Sequence, residues 1–421
     1  MKKHPKNNAS YNPPSGWFYT ILRGLAWFFC TVLFGVKIHR DPRLRNLRGP
    51  LIILGNHPSY LDPLIMAIAF RGRRLHFLAA DCFFRKPLLN RILTRLAAIP
   101  KIQFHTDMQA TRRMIQVLRH GGGLAIYPEG QRSLDGGSRA IDDAIAKMIS
   151  KMQCPVAVVN IEGAYLTWPR WSKRGFRPGR IDARAFLLYE AADLDKLSVD
   201  QIKQGIEEAL HFNDYRWQEK RRVVFRSRAP AKGLHNLCHQ CPSCRGLLAM
   251  RSERTGLTCS RCGYLVAMDA WGFLHEESPD PEKRIFSLSD PWRWHQWQLR
   301  EIREMLADDH FHLEFPATVD LIEQGGHVSP AGRGVLRLTT DQMVFVGQEP
   351  VEPAHAPLNI QLPYQTRIGL SFIFGVQFEM AVREQTYRFR PEPGQAVILI
   401  IDAILASGNH PELDKGGRQN G

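Results

Sequence analysis

Two short stretches of the chain hold residues able to do chemistry. The first is Asn56-His57-Pro58-Ser59-Tyr60-Leu61-Asp62, which follows the apolar run Leu51 to Leu54 and a break at Gly55. An imidazole so close to a carboxylate suits transfer of an acyl group to an alcohol. The base must be poised near neutrality to take the hydroxyl proton, and the carboxylate fixes its tautomer and stabilises the imidazolium. No serine or cysteine nucleophile is needed if the acceptor hydroxyl itself attacks. A plainer reading competes: Asp62-Pro63 is a good helix start, with Asp as N-cap and Pro at N1. Asp62 fills both roles only if one oxygen accepts from the helix while the other faces His57.

The second stretch is Tyr127-Pro128-Glu129-Gly130-Gln131-Arg132-Ser133, after Gly121 to Gly123 and a strand-like Leu124 to Tyr127. Glycine lets a ligand come close to the backbone, and Arg132 offers a planar fork of donors to a phosphate. Alone it reads as a charged turn. Two such loops, each closing a strand of one α/β unit, favour a site.

The elements that must position them alternate. Besides the two strands above, PVAVVNIEG from Pro155 and ARAFLLYE near residue 186 are strand-like, and Gln109 to Arg119 has helical spacing. Alternation from about 50 to 190 predicts a largely parallel sheet flanked by helices, with functional groups in the turns after strands.

Asn56-His57 with Asp62, followed by Pro128-Glu129-Gly130-Gln131-Arg132-Ser133, resembles the glycerophosphate and lysophosphatidic acid acyltransferases. Their hallmarks are an N-H-x4-D block and a later F-P-E-G-T-R-S block, and the resemblance spans about residues 40 to 220. It implies that His57 and Asp62 are the catalytic dyad. Asn56, Glu129, Gly130, Arg132 and Ser133 then bind substrate, with Arg132 on its phosphate, and Pro155 matches a fourth block. Tyr127 and Gln131 replace the usual Phe and Thr. Where the family has an arginine after an apolar step, this chain reads Ala98-Ile99-Pro100-Lys101-Ile102-Gln103-Phe104-His105, so Lys101, the nearest cation, is the expected substrate-binding residue there and lacks the bidentate fork. That favours a headgroup other than a simple phosphomonoester.

The cysteines are a separate signal. Cys241-x2-Cys244 and Cys259-x2-Cys262 are two knuckles that can set four thiolates tetrahedrally around a structural Zn²⁺, with Gly246 and Gly263 fitting the tight turns. Cys238, His235 and His239 are nearby alternatives. Clustering of five of the eight cysteines between residues 238 and 262 argues for metal in a reducing compartment, not a disulfide scaffold. This segment looks like a zinc ribbon.

Residues 17 to 36 (WFYTILRGLAWFFCTVLFGV) are apolar over about the length that crosses a bilayer, interrupted by Arg23. Basic residues flank both ends, so orientation is unassigned, and shallow or re-entrant insertion with the remainder cytoplasmic is expected. A formal net charge of +15 implies an anionic partner. The apolar segment favours a membrane surface over nucleic acid. The basic aromatic loop of Arg170, Lys173, Arg174, Arg177 and Arg180 with Trp168, Trp171 and Phe176 reads equally as a solvated loop or as a contact to headgroups or to the donor's nucleotide and phosphates.

The expected layout is a membrane-associated segment (1–39), an α/β acyltransferase domain (40–226), a zinc ribbon (235–270) and an amphipathic linker helix (285–309). A small antiparallel β domain with a C-terminal helix stopped by Gly408 (311–408) follows, resembling pleckstrin-homology or GRAM-like domains and offering a surface to lipid or protein. The expected function is transfer of an acyl group from acyl-CoA or acyl-carrier protein to the hydroxyl of a lysophospholipid. The alternative is a catalytically weak lipid-binding or scaffolding protein that works through the ribbon and the C-terminal domain.

Overall fold

Leu51–Gly55 is apolar at every position because both of its faces are covered. Ile53 points into a cluster with Ala26, Cys30, Ile65 and Met66, whereas Ile52 and Leu54 face Ala110, Met114, Ile149 and Ile202. In this computed structural model the described residues are 11–102, 107–173, 175–277, 288–323, 326–349, 357–364, 370–383 and 385–407. The expectations for Gln103 to His105, Arg174 and the stop at Gly408 lie outside them.

Seven strands form the first sheet: β1 (Val36–Arg40), β2 (Leu51–Gly55), β3 (Leu75–Ala80), β4 (Ile99–Lys101), β5 (Gly123–Ile126), β6 (Val156–Glu162) and β7 (Ile181–Tyr189). Their order is β1-β7-β6-β2-β5-β3-β4. The block from β6 to β4 is parallel, while β7 runs antiparallel to β6 and carries β1 parallel to itself. The sheet is therefore mixed, with a parallel centre. β1, β3 and β4 were not anticipated: β1 alternates polar and apolar residues and β4 has only three. Because β2 and β5 are parallel neighbours, the turns that follow them open on the same edge.

Helix Gly16–Phe28 continues as a π-helical turn, Phe29–Leu33. Tyr19, Ala26 and Cys30 are buried against the sheet domain, and the Leu75 amide donates to the Tyr19 hydroxyl at 3.2 Å. Trp17, Ile21, Leu25, Phe28, Phe29, Val32 and Leu33 stay exposed. Gly16–Leu33 is long and apolar enough to cross a membrane, with mean hydropathy 1.3.

A second sheet, order β11-β10-β9-β8, is built from β8 (Met250–Ser252), β9 (Gly256–Cys259), β10 (Leu265–Met268) and β11 (Leu274–Glu276). The third is an antiparallel seven-stranded sheet with strands β12 (His312–Ile322), β13 (Val328–Thr339), β14 (Gln342–Glu349), β15 (Asn359–Pro363), β16 (Leu370–Ile373), β17 (Gln377–Val382) and β18 (Gln385–Pro391). Its order is β15-β14-β13-β12-β18-β17-β16, a meander joined to a second meander through its first and last strands. Helix Ala396–Ser407 is apolar except for Asp402 and Ser407 and is buried along almost its whole length.

Helix Pro291–Leu306 buries Trp294, His295, Gln298, Leu299 and Ile302 and packs on that closing helix. This helix falls within the 285–309 expected for an amphipathic linker, and its buried face joins a core shared with the elements on either side. One core runs from Leu134, Tyr165 and Trp171 of the first domain through Cys241 and Leu257 to Phe345 and Ile400.

Candidate active site and metal centre

His57 sits in the turn after β2. Its Nδ1 lies 2.7 Å from Asp62 Oδ2, and the His57 side chain is 18% exposed while that of Asp62 is fully buried. Asp62 begins helix Asp62–Ala69, yet neither of its oxygens accepts from that helix. Oδ2 accepts from the Ser59 amide at 2.8 Å and Oδ1 from the Ser59 hydroxyl at 3.1 Å. The N-cap reading of Asp62 is therefore corrected: the carboxylate faces back into the turn, and Ser59 fixes it there. With Nδ1 donating to Asp62, the tautomer leaves the Nε2 lone pair available.

Burial, with Arg132 and Arg170 nearby, depresses the His57 pKa well below its usual value, so the ring rests neutral. Burial pushes Asp62 the other way, opposed by the two Ser59 donors and by Arg132. Tyr127 stacks on the imidazole, ring centroids 4.3 Å apart. Gly55 permits this: a Cβ there would lie 2.9 Å from Tyr127 Cε1 and 2.4 Å from Met66 Cε.

The turn after β5 clamps the first turn. Glu129 Oε1 accepts from the His57 amide at 3.0 Å and Oε2 from the Arg139 amide at 3.3 Å. The Ser133 amide donates to the His57 carbonyl at 2.8 Å. Burial raises Glu129 to about 8, against the pull of the His57 amide and Arg139. Gly130 takes a positive φ of 69°, which bends this turn.

Two residues expected to bind substrate are committed elsewhere. Asn56 is fully buried, and its amide bridges the Ile161 backbone, donating to the carbonyl and accepting from the amide, each at 2.7 Å. The Ser133 hydroxyl is likewise buried, donating to the Gly137 carbonyl and accepting from the Gly136 amide. Both hold the turns in place. Lys101 is exposed at the end of β4, three strand spacings from β2, or about 14 Å of sheet.

Arg132 lies over the Tyr60 ring, its Cζ 3.5 Å from the centroid. Arg170 donates to the Arg132 carbonyl at 3.1 Å and to the Phe372 carbonyl of β16 at 2.8 Å. The basic aromatic loop is thus far from uniformly solvated: Trp171 and Arg177 are buried. Sequence pattern placed Arg170 there without locating it beside His57.

The four knuckle thiolates lie within 4.8 Å of one another, with Cys241–Cys262 and Cys244–Cys259 Sγ pairs at 3.7 Å. Tetrahedral zinc with bonds of about 2.3 Å sets sulfurs about 3.8 Å apart, so the donor set fits. Among the described residues no other His, Cys or carboxylate joins the cluster. His235 bonds Ser252 and His239 bonds Asp402. After the second cysteine of each knuckle, Arg245 (φ 58°) and Gly263 (φ 75°) make equivalent left-handed turns. Gly246, assigned that part from sequence, does not.

A family model described as Acyltransferase matches residues 35–162. A 1-acyl-sn-glycerol-3-phosphate acyltransferase of Borreliella burgdorferi is 29% identical over 136 residues, 31% of this chain and 52% of that protein. One from Streptococcus pneumoniae is 25% identical over 191 residues, 44% of this chain and 68% of that protein. The crystal structure of a 1-acyl-sn-glycerophosphate acyltransferase from Thermotoga maritima is 21% identical and covers 46% of this chain and 76% of that one, with a TM-score of 0.40. The chain spans about half the length of the first curated relatives it matches. Residues 35–162 are therefore the part of the chain that is similar to acyltransferases. The matched region contains His57, Asp62, Glu129 and Arg132 and ends before Arg170.

Proposed function

We propose that this chain moves a fatty acyl group from a thioester, acyl-CoA or acyl-carrier protein, to the free hydroxyl of a lysophospholipid. The observation that carries the reading is the 2.7 Å contact of partly exposed His57 with buried Asp62. His57 Nε2 takes the hydroxyl proton as the oxygen attacks the thioester carbonyl. Asp62 holds the ring and stabilises the imidazolium. Collapse of the tetrahedral intermediate breaks the C–S bond, and the proton on His57 passes to the departing sulfur. The products are a diacyl lipid and a free thiol.

Three further assignments accompany this reading. Zinc on Cys241, Cys244, Cys259 and Cys262 is structural, since four thiolates leave no open position. Helix Gly16–Phe28 lies in the membrane interface rather than across it, because one side packs along the sheet domain and the other is apolar and exposed. The body of the protein then sits on the cytoplasmic face of an anionic membrane. The third sheet with its closing helix is pleckstrin-homology-like, supported by its strand order and able to meet a lipid or protein partner. A matrix of purified protein against lysolipids of differing headgroup, each with acyl-CoA and acyl-carrier protein, tests the reaction. Absence of transfer in every cell of the matrix would overturn it.

A further inference from the structure

A phosphate-bearing acceptor wants two strong cationic contacts, and the segment around Lys101 does not bring a guanidinium to this site. The structure has a different second guanidinium beside Arg132. Arg170 donates to the Arg132 carbonyl, next to Ser133, whose amide bonds the His57 carbonyl, and its charge lowers the His57 pKa after burial and Arg132. Its position is set by two carbonyls from distant parts of the chain, Arg132 and Phe372. The Phe372 ring packs beneath it, with the Arg170 Cζ 4.1 Å from the centroid. A guanidinium has about five N–H donors, so two commitments leave about three for a ligand.

Neither arginine is neutralised. Among the described residues, the partners of Arg132 and Arg170 are carbonyls and aromatic rings, with no carboxylate in ion-pair range of either guanidinium. One terminal nitrogen of Arg132, Nη1, is buried without a hydrogen-bond partner. Burial first, and then the proximity of Arg132 and Arg139, lowers Arg170 to about 9. Two guanidinium groups on contacting residues near His57, with no carboxylate in ion-pair range among the described residues, suit an anion.

We propose that Arg132 and Arg170 together form the phosphate site for the acceptor, with Arg170 supplied by the loop after β6 and held in place by β16 of the C-terminal sheet. Resting on the acyl-transfer reading above, this makes the C-terminal domain part of acceptor recognition. Arg170 touches substrate through its remaining donors, while the Phe372 carbonyl and ring act as positioning groups.

The test compares Arg170→Gln and Arg170→Lys with wild type, using a 1-acylglycerol 3-phosphate and the matching phosphate-free monoacylglycerol. Donors are acyl-CoA and a phosphate-free acyl-N-acetylcysteamine thioester. KM for the phosphorylated acceptor should rise about 10- to 100-fold in Arg170→Gln, with smaller changes for the phosphate-free acceptor whichever donor is used. Arg170→Lys should recover only part of the loss, because a point charge cannot span two carbonyls and a phosphate. An equal fall in kcat with both acceptors would mark Arg170 as a strut and overturn the proposal. So would a loss that follows acyl-CoA instead of the acceptor. Calorimetric titration with glycerol 3-phosphate separates this from failure of the acyl-transfer reading. If wild type transfers no acyl group yet binds the probe, and binding persists in His57→Ala but vanishes in Arg132→Gln and Arg170→Gln, the phosphate site stands. No binding to wild type would overturn it.

Discussion

Asp135 and His295 are 160 residues apart in the chain, yet Asp135 Oδ2 and His295 Nδ1 are 2.8 Å apart in the fold. His295 Nε2 lies 3.0 Å from Asp402 Oδ1, and Asp402 Oδ2 lies 3.1 Å from His239 Nε2. Asp135 directly follows the Glu129 to Leu134 turn, and Asp402 belongs to the closing helix. A buried imidazolium between two carboxylates thus joins the turn that clamps His57 to the far end of the molecule. The two carboxylates raise His295 to about 10 despite burial, and His295 in turn lowers both of them.

Replacing His295 by Leu removes the cation and leaves two buried carboxylates facing each other. Loss of one partner from a buried pair costs about 3–5 kcal/mol. Because the folded His295 pKa is raised, its stabilisation is fully present below about 6.5 and is lost as pH rises through about 10. Chemical denaturation of wild type and His295→Leu should therefore differ most near pH 6 and converge towards pH 10.

His57→Ala should lower kcat by about 10²–10⁴-fold while the thermal unfolding transition stays near that of wild type. Asp62 keeps both Ser59 donors in that variant, so the turn retains its shape. Turnover close to wild type would remove His57 from the mechanism.

The acid limb of the kcat/KM profile should lie below about pH 6.5, because the working form is the neutral ring and its pKa is depressed. Arg132 and Arg170 contribute to that depression, so Arg170→Gln should move the limb upward. A profile unchanged by the substitution would mean that Arg170 does not act on His57.

Membrane attachment is best tested by substitution, since truncation would remove buried Tyr19, Ala26 and Cys30 along with the exposed face. Leu25→Asp with Val32→Asp should sharply reduce sedimentation with anionic vesicles while leaving the fold intact. Undiminished sedimentation would place the anchor elsewhere.

Metal analysis should give one zinc per chain, lost in Cys259→Ser. A zinc ribbon (235–270) separate from the acyltransferase domain (40–226) would leave the His57 site untouched by metal loss. The continuous core through Leu134, Cys241, Leu257 and Ile400 argues the reverse. Chelation should lower acyltransferase activity together with the ribbon's stability.

What could be read from sequence was what is local. The His57 and Asp62 turn, the Glu129 and Arg132 turn and the paired knuckles each declare themselves within a few residues, because one turn supplies their geometry. The plainer reading of Asp62 could not be settled that way, since the choice depends on where Ser59 points. Arg170 and Phe372 are 202 residues apart, and His295 reads as one more polar position on an amphipathic helix. Only the packing of that helix on Ala396–Ser407 shows that its polar residue faces inward. Strands β1 and β4 escaped notice for a related reason: edge strands alternate or are short, and their neighbours define them.

The seating of Arg170 on Phe372 and of Asp135 on His295 and Asp402 bears on how the protein is made. A ribosome releases the His57 and Glu129 turns long before it releases β16 and the closing helix. Until those emerge, the nascent chain holds His57 and Asp62 with one clamp on their supporting turn unmade and a large apolar face bare. Acyl transfer should therefore begin only after the last helix docks, and prematurely terminated chains should be inactive and prone to aggregate even though every residue of the dyad and its neighbouring turn is present.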